Sequence, residues 1–160
     1  MPNTYTQLYI QLVFAVQGRQ NLIAKQHRQT IHKYVTQVVQ ADGNKMLAVY
    51  CMPDHLHMLV GLNPEVSISN LVLDVKRATT NFINRDHIIG NHFHWQKGYG
   101  AFSYSRSSIN SVVQYILNQE QHHQKITFHE EYIQFLKKYN VQYDEKYLFE
   151  FYDEASITDL

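Results

Sequence analysis

Apolar side chains alternate along the first segment as Leu8, Ile10, Leu12, Phe14 and Val16, with Gln7, Tyr9 and Gln11 between them. A period of two over that length predicts a strand with one buried face, ended by Gly18. Between Ala24 and Ala41 the pattern changes. Ile31, Tyr34, Val35, Val38 and Val39 recur at helical spacing, and Asp42-Gly43 stops this predicted amphipathic helix. Met46 to Met52 predicts a second strand, Pro53-Asp54 a turn, and His55 to about Leu62 a third strand, broken by Asn63-Pro64. Ser67 is a predicted N-cap for a second helix, with Ile68, Leu71, Val72, Val75, Ala78 and Phe82 on one face. The segment FHWQKGYGAFSYS reads as a fourth strand interrupted at its glycines. From Ser108, a third helix carries Ile109, Val112, Val113, Ile116 and Leu117 on one stripe. A short helix over Tyr132 to Tyr139 and an acidic, aromatic tail complete the chain.

The order β-α-β-β-α-β followed by helices predicts an α+β fold. It matches the ferredoxin-like (RRM-like) plan, an antiparallel sheet with two helices on one face and its second face free for a ligand or another element. At 160 residues and 44% hydrophobic content the chain is expected to form one domain with a packed core. Residues 1–128 would be its body, and residues 129–160 a short helix and tail belonging to it. The length excludes a (β/α)₈ barrel, which needs about 250 residues. No apolar run approaches the roughly 18 residues of a membrane span. The N-terminal stretch lacks the charged leader of a signal peptide. With Cys51 as the single cysteine, a reducing, cytoplasmic setting is expected.

Charge refines this picture. The formal net charge is zero, but residues 1–128 hold 11 basic and 6 acidic side chains, and residues 129–160 hold 3 and 8. A basic body with an acidic tail permits a polyanionic partner that the overall balance would disfavour. Lys76, Arg77, Arg85, Lys97 and Arg106 are candidates for phosphate contacts, against ordinary solvated charge. Trp95, Tyr99, Phe102 and Tyr104 are candidates for stacking on unpaired bases, against core packing.

The sharpest chemical feature is PDHLHMLV. On a strand, His55 and His57 point to the same face, and Leu56, Met58, Val60 and Leu62 form the opposite, core-facing row. Two adjacent imidazoles suit a divalent metal, against two histidines without a role. On the third helix Tyr115 and Gln119 lie four residues apart, outside the apolar stripe. Tyr115 is a candidate nucleophile, and Gln119, Glu120, His122 and His123 compete as a third ligand.

These segments together resemble the HUH-type single-tyrosine transposases of small bacterial and archaeal insertion sequences. The resemblance rests on PDHLHMLV, WQKGYGAFSYS and QYILNQEQHH in that order, and runs from the opening strand to about residue 150. It implies that His55 and His57 are the paired histidines, that Tyr115 is the catalytic tyrosine and that Gln119 is the third metal ligand. It further implies Mg²⁺ or Mn²⁺, a 5′-phosphotyrosine intermediate on single-stranded DNA with hairpin ends, and no nucleotide cofactor. Homodimers with active sites completed in trans are also implied.

Three other readings stay open on the sequence: a noncatalytic hairpin-binding module, an HUH nuclease for replication initiation or plasmid transfer, and a metallohydrolase that uses water. Cys51 is read as a small apolar residue, Asp54 as a turn former, and His122 and His123 as surface residues, with His122 on the flank of Tyr115.

Overall fold

The computed structural model describes residues 3–152. Four strands and five α-helices follow in the order β1 (Tyr9–Ala15), α1 (Arg28–Ala41), β2 (Lys45–Cys51), β3 (His55–Gly61), α2 (Ile68–Arg85), β4 (Gly100–Tyr104), α3 (Ile109–Leu117), α4 (Gln119–His122) and α5 (Phe128–Lys138). The strands form one sheet in the order β2-β3-β1-β4, with every neighbouring pair antiparallel. This is the split arrangement expected from the chain order. Among the described residues no helix is long and apolar enough to cross a membrane.

Alternation assigns each strand residue to a face. Leu12, Phe14, Leu56, Met58 and Val60 are fully buried toward α1 and α2. Those helices contribute Ile31, Val35 and Val39, and Leu71, Val72, Val75 and Phe82. The Ser67 hydroxyl caps α2 by accepting the Asn70 N–H at 3.1 Å. α1 starts at Arg28 rather than near Ala24, because residues 25–27 form a separate 3₁₀ turn.

The fourth strand is shorter than the aromatic segment suggests. Trp95 makes a single bridge to Val16, Gly98 turns the chain at φ +85°, and the ladder resumes at Gly100. Trp95 is a core residue: its ring meets Phe14 edge-on at 4.8 Å and its indole N–H donates to Thr79 at 2.9 Å.

The second face of the sheet, which the chain order leaves open to a ligand or another element, is covered by further helices. α3 lays Ile109, Val112 and Ile116 on Ala48 and Leu59. α5 lies over β4 and β1, with Phe135 stacked on Phe102 at 5.0 Å. Gly100 permits this approach, since a Cβ there would stand 2.8 Å from the Tyr132 hydroxyl. The paired histidines lie between these two helices.

Candidate metal and tyrosine site

β3 presents His55 and His57 beside small neighbours. In the register His55 faces Ala15, and His57 faces Val13, which is itself opposite Gly100. The two rings fit under the covering helices, and His55, His57, Gln119 and Glu131 are each no more than 1% exposed.

Each histidine is held from behind by its Nδ1, which aims its Nε2 at a common point. Asp54 Oδ1 lies 2.7 Å from His55 Nδ1. Gln11 Nε2 lies 2.9 Å from His57 Nδ1, while Gln11 Oε1 accepts the Tyr104 hydroxyl at 2.7 Å. Asp54 therefore does more than shape its turn. The Asp54 carboxylate fixes the tautomer and orientation of His55 as such second contacts do for a ligating imidazole, and Gln11 orients the ring of His57.

Around the common point stand Gln119 from α4 and Glu131 from α5. His55 Nε2 is 3.3 Å from Gln119 Oε1 and 3.7 Å from Glu131 Oε1. His57 Nε2 is 2.9 Å from Glu131 Oε1. His123 Nε2 lies 2.9 Å from Gln119 Oε1 and 3.2 Å from Glu131 Oε1. The ligand atoms of His55, His57, His123 and Glu131 all lie within 4.8 Å of one another. Two ligands at ~2.1 Å from one octahedral ion, at right angles, are ~3 Å apart. The donor set thus fits a divalent ion: imidazole nitrogens, one amide oxygen and one carboxylate.

Tyr115 sits at the edge of the same cluster. Its ring is 6.0 Å from that of His57, and its hydroxyl donates to Glu131 Oε2 with His122 Nε2 3.2 Å away. Glu131 Oε2 also accepts from Gln119 Nε2 at 3.1 Å. Burial first, and then the charge of Glu131, raises the Tyr115 phenol above its usual range. Glu131 itself is held well below the usual carboxylate range: its burial opposes this, but His57, His122 and His123 outweigh it. All of these contacts are made within one chain.

The helix read as continuous from Ser108 breaks at Asn118, so Tyr115 lies in the last turn of α3 and Gln119 begins α4. The backbone stays nearly helical, with Asn118 N–H donating to Gln114 O and His122 N–H to Asn118 O. That keeps Tyr115 and Gln119 together on Glu131. His123, read as a surface residue, is buried in the cluster, and Glu120 points away from it to Lys25 and Arg28.

Glu131 is the residue the sequence reading missed, and a signal for it exists. Phe128, Glu131, Tyr132, Phe135 and Leu136 fall at i, i+3, i+4, i+7 and i+8, and all are buried. A lone carboxylate inside an apolar helical stripe must find buried donors or cations.

The other candidates fall outside this cluster. Lys76 donates to Gln96 O at 2.9 Å and Gly98 O at 2.7 Å, and burial lowers its ammonium to about 8. It clamps the loop before β4. Arg77, Lys97 and Arg106 are exposed. Arg85 pairs with Asp86 at 2.9 Å. Phe102 is core, Tyr104 belongs to the Gln11 relay, and Tyr99 is 37% exposed. Cys51 is buried, and burial pushes its thiol up to about 12.

A split antiparallel sheet whose paired histidines meet a tyrosine helix defines the class of small tyrosine transposases. The fold is similar to that of a REP-associated tyrosine transposase bound to a REP hairpin, at 15% identity and a TM-score of 0.58, covering 94% of this chain and 92% of that one. It is also similar to a candidate transposase from Deinococcus radiodurans, at 21% identity and a TM-score of 0.55, covering 73% of this chain and 94% of that one. No curated protein matches the sequence. The model of the IS200-like transposase family matches residues 4–119, and the chain belongs to that family.

Proposed function

We propose that this transposase nicks and rejoins single-stranded DNA at the hairpin-bearing ends of an insertion sequence, through a 5′-phosphotyrosine on Tyr115. The observation that carries the reading is the shared carboxylate: Glu131 accepts the Tyr115 hydroxyl on one oxygen and meets His57 on the other. It joins the one candidate nucleophile to the metal-type cluster.

A divalent ion, Mg²⁺ or Mn²⁺, would be held by His55, His57 and Gln119 with Glu131 and His123 in reach, and would supply positive charge to the scissile phosphate. Imidazole ligands favour Mn²⁺, whereas Mg²⁺ prefers oxygen. The chain's own residues do the rest. Tyr115 Oη bonds to phosphorus as the P–O3′ bond breaks. The phenol proton passes to Glu131 Oε2, the departing O3′ takes up a proton, and the 5′-phosphate remains on the tyrosine. One phosphodiester is exchanged for another, so the later attack of a 3′-hydroxyl reverses the step without a nucleotide cofactor.

Residues 1–128 and 129–160 act as one domain in this reading, because Glu131 lies beyond residue 128 and Tyr115 before it. The same contacts made between two chains would give the homodimer with sites completed in trans. Exposed Arg77, Lys97 and Arg106 are offered as phosphate contacts, and the protein as cytoplasmic, where its DNA would be. The test uses hairpin oligonucleotides from sequence flanking the gene, labelled at either end, with Mg²⁺ or Mn²⁺. A metal-dependent covalent adduct carrying the 3′-side fragment supports the reading. Cleavage that leaves both fragments free, or an adduct on the 5′-side fragment, contradicts it.

A further inference from the structure

The cavity over Tyr115 holds about 580 Å³, within the ~300–1,000 Å³ of small-ligand sites, and has room for one unpaired nucleotide. α5 lines it with a single stripe. Glu131, Gln134, Phe135 and Lys138 recur at i, i+3, i+4 and i+7, and Tyr139 follows at the helix end. The chemistry changes along that stripe. It begins with the buried carboxylate that accepts the Tyr115 hydroxyl. It ends two turns later, roughly 10 Å along the axis, in an exposed ammonium. The other wall, from the end of β4 to the start of α3, adds the hydroxyls of Ser103, Ser105, Ser108 and Ser111.

Lys138 is the one lysine or arginine among the residues lining this cavity. Lys25, Arg28 and Arg85 are paired with carboxylates, and Lys76 with backbone carbonyls. The Lys138 ammonium has no carboxylate partner among the described residues and lies 5.4 Å from the centre of the Tyr139 ring. That ring is stacked on Phe102 at 5.3 Å and met edge-on by Tyr104 at 5.8 Å, so it offers a fixed aromatic surface beside the ammonium. A lysine in the last turn of a helix also suits the helix dipole. Lys137 fills that role equally well, is exposed, and does not line the cavity.

A phosphodiester under attack by Tyr115 stands at the inner end of the stripe, beside Glu131, and the strand leaves the cavity past its outer end. A cation next to a fixed ring suits the unit that follows, with the phosphate at the ammonium and the base against the ring. We propose that Lys138 and Tyr139 bind the nucleotide neighbouring the scissile phosphate, Lys138 through its phosphate and Tyr139 through its base. Lys138 is thus a positioning residue that keeps the single strand in register with Tyr115.

The proposal rests on Tyr115 as nucleophile, and its test separates the two. Binding of flanking hairpin DNA to the full chain is followed by fluorescence anisotropy across a range of salt, with EDTA to prevent cleavage. Lys138→Ala is expected to lower the slope of log affinity against log salt by about 0.7, the share of one phosphate of a single strand. Lys138→Arg should keep the slope, and Lys137→Ala should leave it unchanged. Tyr139→Leu should weaken binding about tenfold with the slope intact. Uncharged methylphosphonate is then placed at single linkages around a mapped cleavage position. At one linkage beside the scissile phosphate it should cost the parent protein about fivefold and cost Lys138→Ala nothing further. An equal slope loss in Lys137→Ala, an unchanged slope in Lys138→Ala, or a methylphosphonate loss that persists in that variant at every linkage overturns the Lys138 assignment alone. Full affinity in Tyr139→Leu overturns the role of the ring. Absence of a Tyr115 adduct in the parent protein with Mn²⁺ overturns the proposed function and this inference with it.

Discussion

Gln11 reaches across from β1 to His57 on β3, its side-chain amide 2.9 Å from the imidazole Nδ1. Because Gln11 Oε1 already accepts the Tyr104 hydroxyl, its NH₂ donates to Nδ1, and the His57 proton sits on Nε2, facing Glu131. An imidazole ligates through an unprotonated nitrogen. A metal bound at Nε2 would require the His57 proton at Nδ1, with the Gln11 amide turned over to accept it.

Gln11→Leu removes that orienting partner without touching a ligand. It is expected to weaken Mn²⁺ binding about 10–100-fold, the usual effect of losing an outer partner. The protein should still fold, because Gln11 makes its contacts on the sheet face opposite the α1 and α2 core. Titration calorimetry with Mn²⁺ checks this. Unchanged affinity would remove Gln11 from the site.

The strand and helix periodicities disclosed the sheet, because alternation and the 3.6-residue repeat report directly which face is buried. They also put His55 and His57 on one face and Tyr115 beside Gln119. They could not disclose what lies over that face. The packing of α5 depends on contacts between residues far apart in the chain, such as Gly100 with Tyr132 and Phe102 with Phe135. Glu131 was therefore hidden, although a carboxylate in the stripe of Phe128, Tyr132 and Phe135 marked it. Gln11 was hidden for a different reason. A polar residue in an alternating strand looks solvent-facing unless something covers it.

Metal should stabilise the fold as well as serve catalysis. At 100 times its dissociation constant a ligand adds about 2.7 kcal/mol, which for a chain of this size raises the Tm by about 5–10 °C. Differential scanning fluorimetry is expected to show that rise with Mn²⁺, a smaller one with Mg²⁺ at equal concentration, and reversal by EDTA. His57→Ala should abolish it. An equal rise in His57→Ala would assign the metal to another site.

Below neutral pH, His32 should make the fold less stable. Its Nε2 accepts the Cys51 N–H at 2.8 Å, and burial, then Arg28, lowers its pKa from 6.5 to about 4. Above pH 6.5 the ring is neutral in both states, and the native contact is fully present. Between 6.5 and about 4 the unfolded chain takes up a proton that the folded chain refuses, so stability falls as pH falls. Below about 4 the folded form also protonates, and this contribution stops changing. Urea midpoints at pH 7 and pH 5 should therefore converge in His32→Gln relative to the parent protein. An unchanged difference would mean that His32 is not the titrating group.

The central claim is that Tyr115 forms the covalent bond to DNA. The most direct measurement is peptide mapping by mass spectrometry of the protein–DNA adduct formed on flanking hairpin DNA with Mn²⁺, alongside Tyr115→Phe. The expected result is a nucleotide attached to Tyr115 and, in the variant, hairpin binding without an adduct. A nucleotide on a different residue, or cleavage that persists in Tyr115→Phe, would contradict the account.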